Sequence, residues 1–206
     1  MCGYASHFGF ARGAFTPVER AYLGLCQKNF SLEHQDEQLD FFEKYLPEDE
    51  TSVAHLDYMM HNMMFHPTEN RVIAVLDWET STIGHPLADL GYFSQLFYRD
   101  WPDGFANAPA DKVAGIPTPE EIVDLYSRAA GRKQGVKQFE YHVAFAMYRT
   151  TVIHQGIAGR VLAGTASNAA AQLIKSSVPQ TNARCLDFIR GLRAKWEKEG
   201  AAKAKI

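Results

Sequence analysis

The 206-residue sequence predicts a mostly helical α+β domain built around one small antiparallel sheet. Helical apolar spacing with recognisable caps recurs before residue 50 and after residue 86, and three short extended pieces crowd between residues 52 and 78. No internal repeat or composition break divides the chain, and its length suits one core, so a single domain over residues 1–206 is expected.

Taken in order, Thr16–Asn29 predicts a first helix, with Val18, Tyr22 and Leu25 at helical spacing behind a Thr-Pro start. Leu32–Leu46 predicts a second, with Leu39, Phe42, Tyr45 and Leu46 on one face and Pro47 stopping it. The extended pieces Ser52–Leu56, Asn62–His66 and Arg71–Trp78 make the sheet, with "HPTEN" turning the chain between the last two. The third piece, "VIAVLDW", is apolar enough for an interior strand and delivers Asp77 at its exit. A helix over Pro86–Tyr98 leads into a long Pro-, Gly- and Asp-rich loop. "TPEEIVDLYSRAAG" carries a Thr cap, a first-turn proline with two acids, and a closing Gly131. Helices over Lys137–Leu162, Ala166–Lys175 and Gln180–Glu199 follow, and residues 196–206 read as a frayed charged tail.

The charge balance, 21 basic against 24 acidic side chains, predicts neither a nucleic-acid nor a membrane partner. Cys2, Cys26 and Cys185 are odd in number and form no CxxC, which predicts no disulfide framework and a cytoplasmic home. No apolar run approaches the roughly 20 residues a bilayer needs. The final Ala204-Lys205-Ile206 is distantly similar to the Ser-Lys-Leu peroxisomal address, so the peroxisome is the alternative compartment.

The chemistry concentrates in "HLDYMMHN", where His55, Asp57 and Asn62 stand in the pattern H-x-D-x-x-x-x-N. In protein kinases that spacing belongs to the catalytic loop, whose aspartate accepts a hydroxyl proton and whose asparagine holds magnesium. An antiparallel hairpin would fold Asn62 and Asp77 to the same end, where an amide oxygen and a carboxylate can share one hard cation. Glu79 is either a further metal ligand or an exposed acid. Met59, Met60, Met63 and Met64 either fill core gaps or line an apolar substrate pocket. On the long helix, His142, Arg149 and His154 either satisfy neighbouring acids and carbonyls or face the cleft and bind substrate. His61, His66 and His85 lack zinc-site spacing.

"FHPTENRVIAVLDWETSTIGHPLADL" closely resembles the C-terminal lobe of aminoglycoside-phosphotransferase-like kinases, in particular the kinase-like domain fused to some acyl-CoA dehydrogenases. The resemblance runs on through "GIPTPEEIVDLYSRAAGR" and "FEYHVAFAMYRTTVIHQGIAGRVLAG", so it covers roughly residues 15–175. It implies a protein-kinase-like C-terminal lobe, with ATP and Mg2+ as cofactors and a small-molecule hydroxyl as phosphate acceptor. By the same resemblance Asp57 is the catalytic base, Asn62 and Asp77 hold magnesium, Asp89 is a buried carboxylate bracing the loop, and His55 supports its backbone.

Two departures qualify the likeness. Leu56 stands where the family usually has glycine, and Met59 where it usually has arginine, so a reshaped loop is expected. Nothing before residue 50 resembles an N-terminal lobe with its strands, Gly-rich phosphate cover and ATP-pairing lysine, so that lobe is expected to be absent. Three outcomes follow from that expectation. A separate partner supplies the upper lobe; or the cleft performs ATP-independent, cofactor-free acid/base chemistry on an apolar metabolite, as a cyclase or isomerase; or the chain is a non-catalytic binding module or homodimer.

Overall fold

A computed structural model of the chain describes residues 30–100, 103–166 and 170–200. The helix expected over Thr16–Asn29, Cys2, Cys26 and the Ala204-Lys205-Ile206 tail lie outside the described residues. Five helices and four short strands follow in the order α1 (Gln35–Lys44), β1 (Ser52–Ala54), β2 (Met63–Phe65), β3 (Val72–Val75), β4 (Thr82–Gly84), α2 (Leu87–Ser94), α3 (Pro119–Ala129), α4 (Phe139–Leu162) and α5 (Ala170–Glu199). Short 3-10 turns at Met60–Asn62, Trp78–Thr80, Gln95–Tyr98 and Ala110–Lys112 join them. Among the described residues no helix is long and apolar enough to cross a membrane.

The mostly helical architecture follows from α4, which is apolar on nearly every side and is therefore surrounded. Val143, Ala144, Phe145, Met147, Tyr148 and Val152 are all buried. α5 runs along one flank, α2 crosses another, and α1 closes the end. The α2 crossing is possible because residue 91 is glycine: a Cβ there would lie 2.5 Å from the backbone carbonyl of His142. α1 contributes Phe41 and Phe42, which the sequence pattern only half captured. Phe41 stacks on Trp196 at 5.7 Å and Phe42 meets Tyr141 edge-on at 5.5 Å, so aromatic contacts tie α1 to both long helices.

α3 has the ends its sequence predicts. Thr118 accepts from the Glu121 amide while the Glu121 carboxylate accepts from the Thr118 amide, a reciprocal capping box with Pro119 in the first turn.

Three expectations are corrected. The anticipated break between Lys175 and Gln180 does not occur, and α5 continues through Pro179. Proline there removes the amide that would bond the carbonyl four residues back, at about 3 kcal/mol or more. Fully buried Val178, packed with Leu32 and Ala158, and buried Asn182, bonded to Gln38 and the Glu33 carbonyl, outweigh that penalty. The sheet is two separate antiparallel ribbons, β1–β4 and β2–β3, and β4 went unpredicted because three residues interrupted by glycine carry no alternation. Finally, the apolar run 72–78 is not an interior strand: Val72, Ile73, Leu76 and Trp78 are 42%, 43%, 44% and 50% exposed. A two-stranded ribbon has two faces, and the helices cover neither completely.

Beneath α2 the rings of His85 and His142 stack at 4.4 Å, both buried, with Glu50 4.0 Å from His85 and in turn paired with Arg132. Burial pushes the His142 pKa well below its ordinary value, and the His85 and Arg132 charges add to the effect. His85 is also lowered by burial, against the pull of Glu50. Both imidazoles thus bind protons more weakly folded than unfolded. Stability is therefore complete above pH 6.5, the ordinary value, and declines as pH falls toward the lowered folded-state values. Urea midpoints measured across that range should drop with acid in the wild type, and His142→Gln should flatten the slope. An acid-insensitive wild-type midpoint would contradict this account.

Candidate active site

The two ribbons deliver the chemistry-bearing loop. The chain leaves β1 at Ala54, runs through His55–Met59, and enters β2 by the 3-10 turn Met60–Asn62. Asp89, in the first turn of α2, fixes the start of this loop. Its two carboxylate oxygens accept the backbone amides of His55 and Leu56, each at 2.7 Å. Burial raises the Asp89 pKa, while those two amide bonds and the charge of Arg149 pull the other way.

Leu56 takes φ 64°, the left-handed angle that glycine adopts freely. Leucine here thus holds a backbone angle that glycine would adopt freely. Its amide is bound by Asp89, its carbonyl accepts from the Arg149 guanidinium, and its side chain is buried against Ala54 and Ala88. Left-handed backbone costs a non-glycine residue about 1–2 kcal/mol, and three independent anchors offset it.

Asp57 follows, half-buried. Its amide donates to His55 Nδ1 at 3.2 Å, and His55 Nε2 donates to the Leu76 carbonyl at 2.7 Å. Those two partners place the His55 proton on Nε2. The Asn62 amide nitrogen donates to both the backbone oxygen and the carboxylate of Asp57, at 2.9 Å each. Asn62 is thereby oriented so that its amide oxygen, which accepts no hydrogen bond from the described residues, is available to a cation.

The strand exit is tied to the same loop. The Leu76 amide donates to the Asn62 carbonyl at 2.8 Å, while its own carbonyl accepts from His55. Leu76 is thus gripped from both sides, and the next residue, Asp77, is exposed and takes left-handed φ 66°. The hairpin brings Asn62 and Asp77 to one end as its antiparallel geometry requires. Among the described residues no three His, Cys, Asp or Glu side chains gather as a metal cage. An amide oxygen and one exposed carboxylate suit magnesium, which keeps waters and phosphate oxygens in most of its coordination sphere. Glu79 lies exposed in the 3-10 turn that follows.

Other predicted residues fall elsewhere. Met59 and Met60 flank the entry to the 3-10 turn, Met60 being exposed. Arg149 is buried, donating to Leu56 and lying 4.9 Å over the Tyr92 ring, so it braces the loop. His154 lies one helical turn and more beyond it on α4 and lines a different cavity, with Arg99 and Arg184. Three contributors had no motif to announce them. Tyr92 is buried with its pKa raised by that burial, and the charges of Arg149 and Asp57 act on its hydroxyl. Its position three residues after Asp89 on a helix was the available signal. The Thr80 hydroxyl donates to the His55 carbonyl at 2.9 Å. Trp78 covers the His55 ring at 4.7 Å.

The sequence profile of the phosphotransferase enzyme family matches residues 11–122. This chain belongs to that family. Among curated proteins, acyl-CoA dehydrogenase family member 11 from Pongo abelii is 36% identical over 170 residues, 81% of this chain and 22% of that protein. The human protein of the same name is likewise 36% identical, over 171 residues. Acyl-CoA dehydrogenase family member 10 from Mus musculus is 38% identical over 126 residues, 59% of this chain and 12% of its own length. The chain therefore spans about a fifth or less of the curated relatives it matches. A crystal structure from Ralstonia eutropha, assigned as an aminoglycoside phosphotransferase, superposes with a TM-score of 0.70 at 29% identity, covering 92% of this chain and 60% of that one. The kinase-like fold and the family are those the sequence resemblance implied.

Leu56 provides a direct check on the loop. Leu56→Ala and Leu56→Gly both lose the buried side chain, but only glycine relieves the left-handed backbone. Leu56→Gly should therefore be the more stable of the two by about 1 kcal/mol in urea unfolding, reversing the usual order. Alanine ranking above glycine would show that the backbone angle is not maintained.

Proposed function

We propose that this site transfers the γ-phosphoryl group of ATP to a hydroxyl of a small molecule. The observation that carries the reading is the Asn62 clamp: its amide nitrogen locks onto Asp57, which leaves its amide oxygen for a cation, and Asp77 follows Leu76, whose amide donates to the Asn62 carbonyl. One residue thereby orders a base and a cation ligand together.

In this reading Asp57 accepts the acceptor's hydroxyl proton as that oxygen bonds to the γ-phosphorus. The bond to the β-phosphate oxygen breaks, ADP leaves, and the proton passes from Asp57 to solvent. His61, exposed and 3.9 Å from Asp57 Oδ2, is placed to take that proton outward. Asn62 and Asp77 would hold magnesium, which supplies charge neutralisation to the phosphates. The exposed apolar side chains of the β2–β3 ribbon, Met64, Phe65, Val72 and Ile73, support a further element: that ribbon is the seat of an upper lobe, whether from a partner or another stretch of polypeptide.

A second reading is favoured by the same His61–Asp57 proximity: acid/base chemistry without nucleotide, on an apolar molecule held by the neighbouring methionines. A requirement for ATP in turnover separates the two. With Mg-ATP and an accepted substrate, Asp57→Asn should lower ADP release by about 10²- to 10⁴-fold while leaving the circular dichroism spectrum intact. Undiminished turnover in that variant would remove Asp57 from the mechanism.

A further inference from the structure

A cavity of about 70 Å³ lies between the Gln95–Tyr98 turn, α4 and α5. Three elements wall it: the chain after the Gln95–Tyr98 turn gives Arg99, α4 gives Thr150 and His154, and α5 gives Gln180, Thr181 and Arg184. At several times the room one water needs, it accommodates a group the size of a carboxylate or phosphate.

Its charges are unevenly satisfied. Arg184 is paired with Asp100 at 2.7 Å, and Asp103 is exposed at the rim. Arg99 is half-buried and forms no ion pair among the described residues. His154 Nδ1 is shut away from solvent with no hydrogen-bond partner. Burial lowers the His154 pKa and the Arg99 charge lowers it further, which keeps the ring neutral beside the guanidinium. A partly desolvated guanidinium without a counter-ion is unfavourable, and its planar fork matches an oxyanion with two parallel hydrogen bonds. The His154 imidazole forms part of the same wall.

The cavity is also coupled to the catalytic loop. Gln95 donates to the Tyr92 carbonyl at 3.0 Å and lies 3.1 Å from the Thr150 hydroxyl. The Arg99 charge acts on the same Tyr92 hydroxyl as that of Asp57. We propose that the Arg99–His154 cavity binds a carboxylate or phosphate group of the hydroxyl-bearing acceptor. This rests on the phosphotransferase reading and narrows its acceptor to an anion: among the described residues Arg99 has no ion-pair partner, while the lining carboxylate, Asp103, is exposed to solvent.

The test is a titration of the full chain with inorganic phosphate and, separately, acetate, following the ring nitrogens of His154 by NMR. The expected result is a saturable His154 shift with a dissociation constant on the order of 1–10 mM, as befits a fragment of a larger ligand. Whichever ion shifts it more identifies the group. Arg99→Gln should weaken the binding at least about tenfold, and His154→Gln, followed by calorimetry, provides a second variant should the first fold poorly. No His154 shift, or one that persists undiminished in Arg99→Gln, would overturn the site. Submillimolar binding of free phosphate would overturn the acceptor assignment in favour of a free-anion site. Mg-ATP binding measured in parallel separates the two readings: intact nucleotide binding with a silent His154 removes this cavity alone, and the converse removes phosphoryl transfer.

Discussion

The site depends on one half-buried carboxylate. Asp89 receives the amides of His55 and Leu56 together, so the two residues that precede Asp57 are held by their backbones. Each charge-assisted hydrogen bond contributes about 1.5–3 kcal/mol, against about 1–2 kcal/mol for holding Leu56 in a left-handed backbone. The bonds win, and Arg149 secures the loop from below by capping the Leu56 carbonyl. From that fixed point the geometry propagates: His55 grips Leu76, Leu76 grips Asn62, and Asn62 grips Asp57. Asp57 and Asn62 are thus parts of one closed hydrogen-bond circuit.

Much of this was legible in the letters. The H-x-D-x-x-x-x-N stretch, the acid at the exit of the second hairpin strand and Asp89 were all singled out in the sequence, and hydrogen bonds gather His55, Asp57, Asn62 and Asp89 around one loop. The capping box of α3 is complete in its four residues, because a cap is local chemistry. What was illegible was what tertiary packing decides. Pro179 reads as a breaker, yet Val178 and Asn182 on either side bury the helix through it. The β4 strand consists of three residues whose only reason to extend is the β1 edge beside them. Tyr92 carries no motif and is drawn into the site by Arg149, which is distant in sequence.

The most instructive misreading is the run 72–78. Its apolar character suggested burial, whereas Val72, Ile73 and Leu76 face outward. Periodicity and composition report that a surface is apolar, not which surface will cover it. The same ribbon that fixes Asp77 by its backbone therefore displays an apolar face by its side chains. Under the proposed phosphoryl transfer that combination has a use, since the ribbon beside Asn62 and Asp77 would also seat the element closing over the nucleotide. The Ralstonia structure, of which this chain matches 60%, is long enough to include such an element.

Calorimetric titration of Mg-ATP into the chain, with Asp77→Asn alongside, tests the central claim most directly, because it asks whether the ordered ligands receive the cation and phosphates they are arranged for. The account predicts saturable binding that weakens by about 10- to 100-fold when the Asp77 charge is removed, as for loss of a group that tunes a metal site. Absence of binding at millimolar Mg-ATP, or equal binding by the Asp77→Asn chain, would contradict it.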